Sequence, residues 1–368
     1  WYLHSAELDV STLDDSCWPA SLTDLDKTTL QPIFSTDFLR DKADIAWGRG
    51  KTKVAIEAAL DLGKVCTGPQ QEDICELELE LREGEPAALL ELAIELAAEL
   101  PLMPCDISKA ERGYRLFDAA SYSLSLPAPD LLPEQALDDV FATLAWHLLG
   151  SSQRLAEQYR FNGHWKLLEQ WLQQLTDLRA LLSSLGQAAP RASSHPLREA
   201  LDALLKDWRP LLLAGQQDAQ LRQDAPARFA EELENTRWGH FSLQASLWLL
   251  QRHWVSTRNE RGSRQGQAPI GKWLPRLLAA EAADLQLKRY QQQPEDLAEQ
   301  LPRIERLLAW LRQARQLSAL AEVDRLYGEL LKLEELAHQP INAEQLAARA
   351  MQAHTVTTLR AWRQLSRS

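Results

Sequence analysis

Glu76, Glu78 and Glu80 recur at every second position of the octet ICELELEL, residues 74–81. In a strand this period sends all three carboxylates to one face and Leu77, Leu79 and Leu81 to the other. Three adjacent carboxylates repel one another unless water or a cation compensates them. They are hard oxygen donors of the kind that Mg²⁺ or Mn²⁺ prefers. The plainer reading is a half-buried strand with a solvated acidic face, and on these eight residues alone it is the stronger one. What surrounds the octet decides between them.

The elements around the octet change character near residue 125. Before that point, short runs are broken by turn signals. Residues 7–10 read as the end of a strand and 33–45 as another. Residues 44–51, with Gly48 and Gly50, read as a hairpin connection, and 53–60 as the partner strand. Leu62-Gly63 reads as a turn before the octet strand, and 85–100 as a helix dense in Ala, Leu and Glu. The proline-bearing stretch 124–133 reads as a linker. Beyond it the pattern is helical, with helices near 134–160, 164–186, 194–214, 220–235, 238–257, 271–292, 295–316, 318–338 and 343–366. Residues 258–267 (RNERGSRQGQ) read as an exposed basic loop. Gly163-His164-Trp165 and Gly239-His240-Phe241 form a slender internal echo at two helix starts. Core packing, with each indole N–H finding a polar partner, is the expected role of the helical Trp residues Trp146, Trp171, Trp208, Trp248 and Trp310.

A length of 368 residues favours two domains, and 45% hydrophobic with 25% charged residues is a globular composition. No apolar run reaches the roughly 18 residues of a membrane span, and no secretory signal opens the chain. Cys17, Cys66, Cys75 and Cys105 form no CxxC pair and read as small, buried, reduced residues, which fits a cytoplasmic protein. Net charge is −12. Residues 1–132 hold 11 Lys and Arg against 25 Asp and Glu, whereas 133–368 hold 29 against 27. The acidic part is a poor partner for duplex nucleic acid.

The stretches FSTDFLRDK (34–42), IEAALDLG (56–63), ICELELEL (74–81) and ISKAERGYRL (107–116) together resemble the second half of a CYTH domain, of the triphosphate tunnel metalloenzyme family. The helical part resembles a CHAD domain by layout, position and segments such as LPRIERLLAWLRQAR (301–315). The order of the two is that of bacterial CYTH–CHAD inorganic triphosphatases. The resemblance implies an α+β chain: a partial antiparallel β-barrel, half of a CYTH tunnel, over 1–123, a linker over 124–133 and an all-helical CHAD bundle over 134–368. It implies metal-dependent hydrolysis of inorganic triphosphate with Mg²⁺ or Mn²⁺, with polyphosphate as a possible partner of the helical part. Arg40 and Lys109 match phosphate-gripping positions of the family, with Lys42 and Arg112 as further candidates. Asp61 matches an acidic position, and Glu57, on the same face, joins it as a candidate for orienting the attacking water. Glu76 and Glu78 match the metal-holding E-x-E pair, and Glu80 continues their face.

This sequence departs from the family pattern in several respects, among them Ser5 where the strand ending at Glu7 usually carries an Arg. No E-x-E-x-K strand precedes residue 34, and the basic strands that follow it in the family are absent. The expectation is therefore a fragment or a degenerate member, opening on Trp1, with little or no triphosphatase activity as it stands. Two other readings stay open. In one, the chain is a non-enzymatic polyphosphate binder whose helical part uses Lys166, Arg179, Arg191, Arg198, His164 and His240. In the other it is an adenylate cyclase of the CYTH class.

Overall fold

The computed structural model describes all residues except 1–8, 11–12, 15, 17, 23–25, 49–52, 121, 185–187, 189, 318–319 and 367–368. The chain divides into two compact units. One comprises Trp1–Gly84 with Ile107–Ser123, the other Glu85–Asp106 with Leu124–Ser368.

The first unit is built on an antiparallel three-stranded sheet, β1 (Ser35–Trp47), β2 (Val54–Thr67) and β3 (Gln70–Glu83), in the order β1-β2-β3. All three strands run past the ends expected from sequence. Leu62-Gly63 is not a turn. β2 passes straight through it, with Gly63 paired to Phe38 and Ile74. A Cβ at Gly63 would collide with the Asp37–Phe38 backbone, so the glycine permits close strand approach rather than reversal. The reversal falls at Gly68-Pro69, where Gly68 at φ 53° opens a two-residue connection between Thr67 and Gln70. Residues 44–47, expected in a hairpin loop, belong to β1. Of the expected strand at 7–10, Glu7 and Leu8 lie outside the described residues, and Asp9 and Val10 are not in a strand. A short helix, α2 (Lys109–Phe117), packs on the sheet.

The second unit is helical. It takes in α1 (Ala87–Glu99), then α3 (Leu137–Asn162), α4 (Trp165–Ser184), α5 (His195–Gly215), α6 (Ala219–Leu233) and α7 (Arg237–Leu250). There follow α8 (His253–Ser256), α9 (Glu260–Gly266), α10 (Ile270–Leu285), α11 (Leu287–Tyr290), α12 (Leu301–Ala314), α13 (Val323–His338), α14 (Ala343–Thr358) and α15 (Arg360–Leu365). α1 packs on α7 within this unit. The proline stretch is no free tether, since Leu131 is buried in the helical core and Leu124 and Leu126 pack against it. Two expected helices split at left-handed residues, Arg252 at φ 44° and Gln286 at φ 46°, where no glycine marks the break.

Residues 258–267 are not an exposed loop. Glu260–Gly266 form α9, and just ahead of it the Arg258 side chain, 3% exposed, holds both carboxylate oxygens of the similarly buried Asp138 at 2.7 Å. Trp171, Trp208 and Trp310 are core residues, as are Trp238 and Trp254, but Trp146 is 40% exposed. Trp171 meets Trp208, Trp238 and Phe229 edge-on. The indole N–H groups of Trp171, Trp208, Trp238 and Trp310 have no polar partner, whereas that of Trp248 donates to the Ser193 carbonyl at 2.8 Å. Cys66, Cys75 and Cys105 are free but not buried, and Cys17 lies outside the described residues. Among the described residues no helix is long and apolar enough to cross a membrane.

Candidate active site

The strand register assembles the site. Arg40, Asp61 and Glu76 are cross-strand neighbours on one row. The next row on the same face is Lys42, Ala59 and Glu78, and the next Asp44, Glu57 and Glu80. The period-two alternation of three strands thus places nearly every candidate side chain on one face.

Asp61 stands at the centre and is fully buried. Arg40 grips it with two bonds, Nε to Oδ1 and Nη2 to Oδ2, both 2.6 Å. The same Nη2 reaches diagonally to Glu78 Oε2 at 2.7 Å, across the small side chain of Ala59. The remaining groups come from α2. Ser108 caps that helix, its Oγ accepting from the Glu111 N–H at 3.1 Å. The cap fixes the first turn, so Lys109 and Arg112, three residues apart, face the sheet together. Lys109 Nζ lies 2.9 Å from Asp61, 2.6 Å from Glu76 and 2.7 Å from Glu78. Arg112 contacts Glu76 and Glu72, and Arg115 bonds both oxygens of Glu72, at 2.8 and 2.7 Å. The Phe38 ring lies under both bases, 5.6 Å from the Arg40 guanidinium and 5.2 Å from the Lys109 ammonium.

One carboxylate oxygen each from Asp61, Glu76 and Glu78 lies within 4.8 Å of the others. Three hard oxygen donors so placed suit one Mg²⁺ or Mn²⁺. Glu57 and Glu80 stand apart from this group. Glu57 is held by Lys42 at 2.9 Å and Arg82 at 2.6 Å, and Glu80 by Arg82 at 2.8 Å. Arg82, Glu72 and Arg115 were not singled out from sequence. The alternation through Glu76, Glu78 and Glu80 reaches Arg82 when carried one step forward and Glu72 when carried back through Ile74, and the three-residue step from Lys109 to Arg112 leads on to Arg115.

The electrostatics follow from the pairing. The hydrogen bonds from Arg40, with help from Lys109, hold the Asp61 carboxyl down at about 2 against burial. Lys42 and Arg82 hold Glu57 at about 2. Burial works against the charged form of Lys109, but Glu78 and Asp61 outweigh it and raise its pKa. Each of Asp61, Glu76 and Glu78 thus lies against at least one base.

Comparison with known proteins bears on this part of the chain. Residues 2–114 match the model of the CYTH domain. A 92-residue stretch is 39% identical to an inorganic triphosphatase of Haemophilus influenzae. That stretch is 25% of this chain and 25% of the relative, so the chain spans about a quarter of the length of the curated relative it matches. Together, the domain match and the partial relative support the CYTH family for the sheet-bearing part of this chain.

Proposed function

We propose that the site belongs to a metal-dependent hydrolase of inorganic triphosphate. The observation that carries this reading is the interleaving of three convergent carboxylates, Asp61, Glu76 and Glu78, with three cationic side chains, Arg40, Lys109 and Arg112. A polyphosphate chain needs both sets at once: bases for its oxygens, and acids for the ion that travels with it. A divalent ion held by Asp61, Glu76 and Glu78 would supply charge neutralisation on the phosphate oxygens.

The chain's own residues do the rest. Arg40 offers a planar fork, now spent on Asp61 and Glu78, that suits a phosphate equally well. Lys109 and Arg112, on a capped helix turn, are positioned to move from carboxylate to phosphate oxygens by side-chain rotation alone. Once the carboxylates are otherwise compensated, these bases are free to grip substrate and to stabilise charge developing on the leaving phosphate. Glu57 is kept ionised by Lys42 and Arg82, which makes it the candidate for orienting water from the neighbouring row.

Phosphate release from triphosphate with Mg²⁺ or Mn²⁺ tests the reading, measured in this chain and in one that also carries the family's E-x-E-x-K strand, with ATP as the parallel substrate. Glu76→Gln and Glu78→Gln are expected to lower kcat by more than about 100-fold. Unchanged turnover in both variants would refute the metal assignment, and faster release of pyrophosphate from ATP would favour the cyclase chemistry.

A further inference from the structure

A second convergence of ligating side chains lies in the helical unit, on residues no part of the triphosphate reading uses. Glu334 and His338 are four apart on α13 and so share a face. Glu305 meets them from the neighbouring α12. One ligand atom from each of Glu305, Glu334 and His338 lies within 4.8 Å of the others. All three line a half-open cavity of about 500 Å³.

The pairing of charges around this cavity is incomplete. Asp177 of α4 is taken by Arg312 of α12. Glu305 Oε1 is taken by Arg209 of α5 at 2.7 Å. The Glu334 carboxylate and the His338 imidazole have no hydrogen-bond or ion-pair partner among the described residues. Both groups are half-buried in the cavity wall, and an unpaired carboxylate beside an imidazole in a partly desolvated pocket is a ready ligand set for a cation. The Arg209 contact does not exclude ligation by Glu305, because a carboxylate has a second oxygen. It fixes the side chain, as a partner behind a metal ligand commonly does.

We propose that Glu305, Glu334 and His338 form a binding site for a borderline divalent transition-metal ion such as Zn²⁺. The donor set separates this site from the one on the sheet. Two carboxylates and an imidazole suit Zn²⁺, Co²⁺ or Fe²⁺, whereas Mg²⁺ takes oxygen donors alone. Three protein ligands leave a coordination position open toward the cavity, the arrangement of a site that exchanges its outer ligand.

Co²⁺ is the probe, because ligation by imidazole and carboxylate is read in its visible absorption. The whole chain is titrated with Co²⁺, followed by displacement with Zn²⁺. The expected result is a single visible-absorbing site, displaced by Zn²⁺, retained in Glu78→Gln and weakened more than about 10-fold in both Glu334→Gln and His338→Ala. Glu334→Gln is expected to fold at least as well as the parent without metal, since it removes an unpaired carboxylate, and it covers the case in which His338→Ala does not fold. The proposal is overturned if no band develops up to about 1 mM Co²⁺, if Glu334→Gln binds like the parent, or if Glu78→Gln alone abolishes the band.

Discussion

Replacing Lys109 with methionine separates a lysine that guards the carboxylates from one that merely decorates them. Its ammonium lies within 2.9 Å of Asp61, Glu76 and Glu78, and its side chain is 16% exposed. Without it, three carboxylates share Arg40 and Arg112. Removing one partner from a buried ionic group costs about 3–5 kcal/mol. Methionine keeps the aliphatic packing and removes the cost of desolvating the ammonium, so about 2 kcal/mol is expected, against less than about 1 for a surface pair. Hydrogen exchange of the β2 amides reads this locally, and 2 kcal/mol corresponds to about 30-fold faster exchange. The second arm adds Mn²⁺ without phosphate. In Lys109→Met the carboxylates have lost their resident cation, so Mn²⁺ at about 100 times its Kd is expected to stabilise the variant by about 2.7 kcal/mol, enough to offset the loss. In the parent, where Lys109 competes, it is expected to restore little. Exchange at the parent rate in the variant, or equal protection of both proteins by Mn²⁺, would refute the claim that lysine and metal compete for the same oxygens.

Three further outcomes are expected. Asp61 and Glu57 are held at about 2, below ordinary values of 3.8 and 4.5, so the stability they contribute is complete above about pH 4.5 and is lost as pH falls toward 2; circular dichroism should show an acid limb there that flattens in Asp61→Asn with Glu57→Gln. Gly63→Val should cost the sheet more than about 2 kcal/mol, read by β2 amide exchange, because the new side chain meets the β1 backbone. Asp138→Ala should lower helical-unit stability by about 3–5 kcal/mol in urea unfolding, and adding Arg258→Met should recover much of that loss, since both partners of this ion pair are buried.

The site was legible in the sequence where its logic is local. Parity alone put Glu76 and Glu78 on one face and Glu57 with Asp61 on another strand, whereas the helix that Ser108 caps has no place in the sequence reading. The reading failed where order comes from distant partners. The polar, glycine-bearing run 258–267 has the composition of a loop, yet a carboxylate 120 residues away in sequence draws its first arginine into the core. Leu62-Gly63 resembles a turn only until β1 is known to press against it. Arg115 and Glu72 are 43 residues apart and find each other through the fold alone.

The interleaved charges of the candidate site also bear on how a ligand would reach it. Asp61, Glu76 and Glu78 are matched one for one by Arg40, Lys109 and Arg112, so the cluster presents almost no net monopole to solvent. A field of that kind decays within a few ångströms and steers little from afar. The acidic surplus of residues 1–132, 25 Asp and Glu against 11 Lys and Arg, would instead repel an arriving polyanion before contact, and its encounter rate should rise as added salt screens that repulsion. Selection would then rest on the exchange of partners at close range rather than on long-range capture.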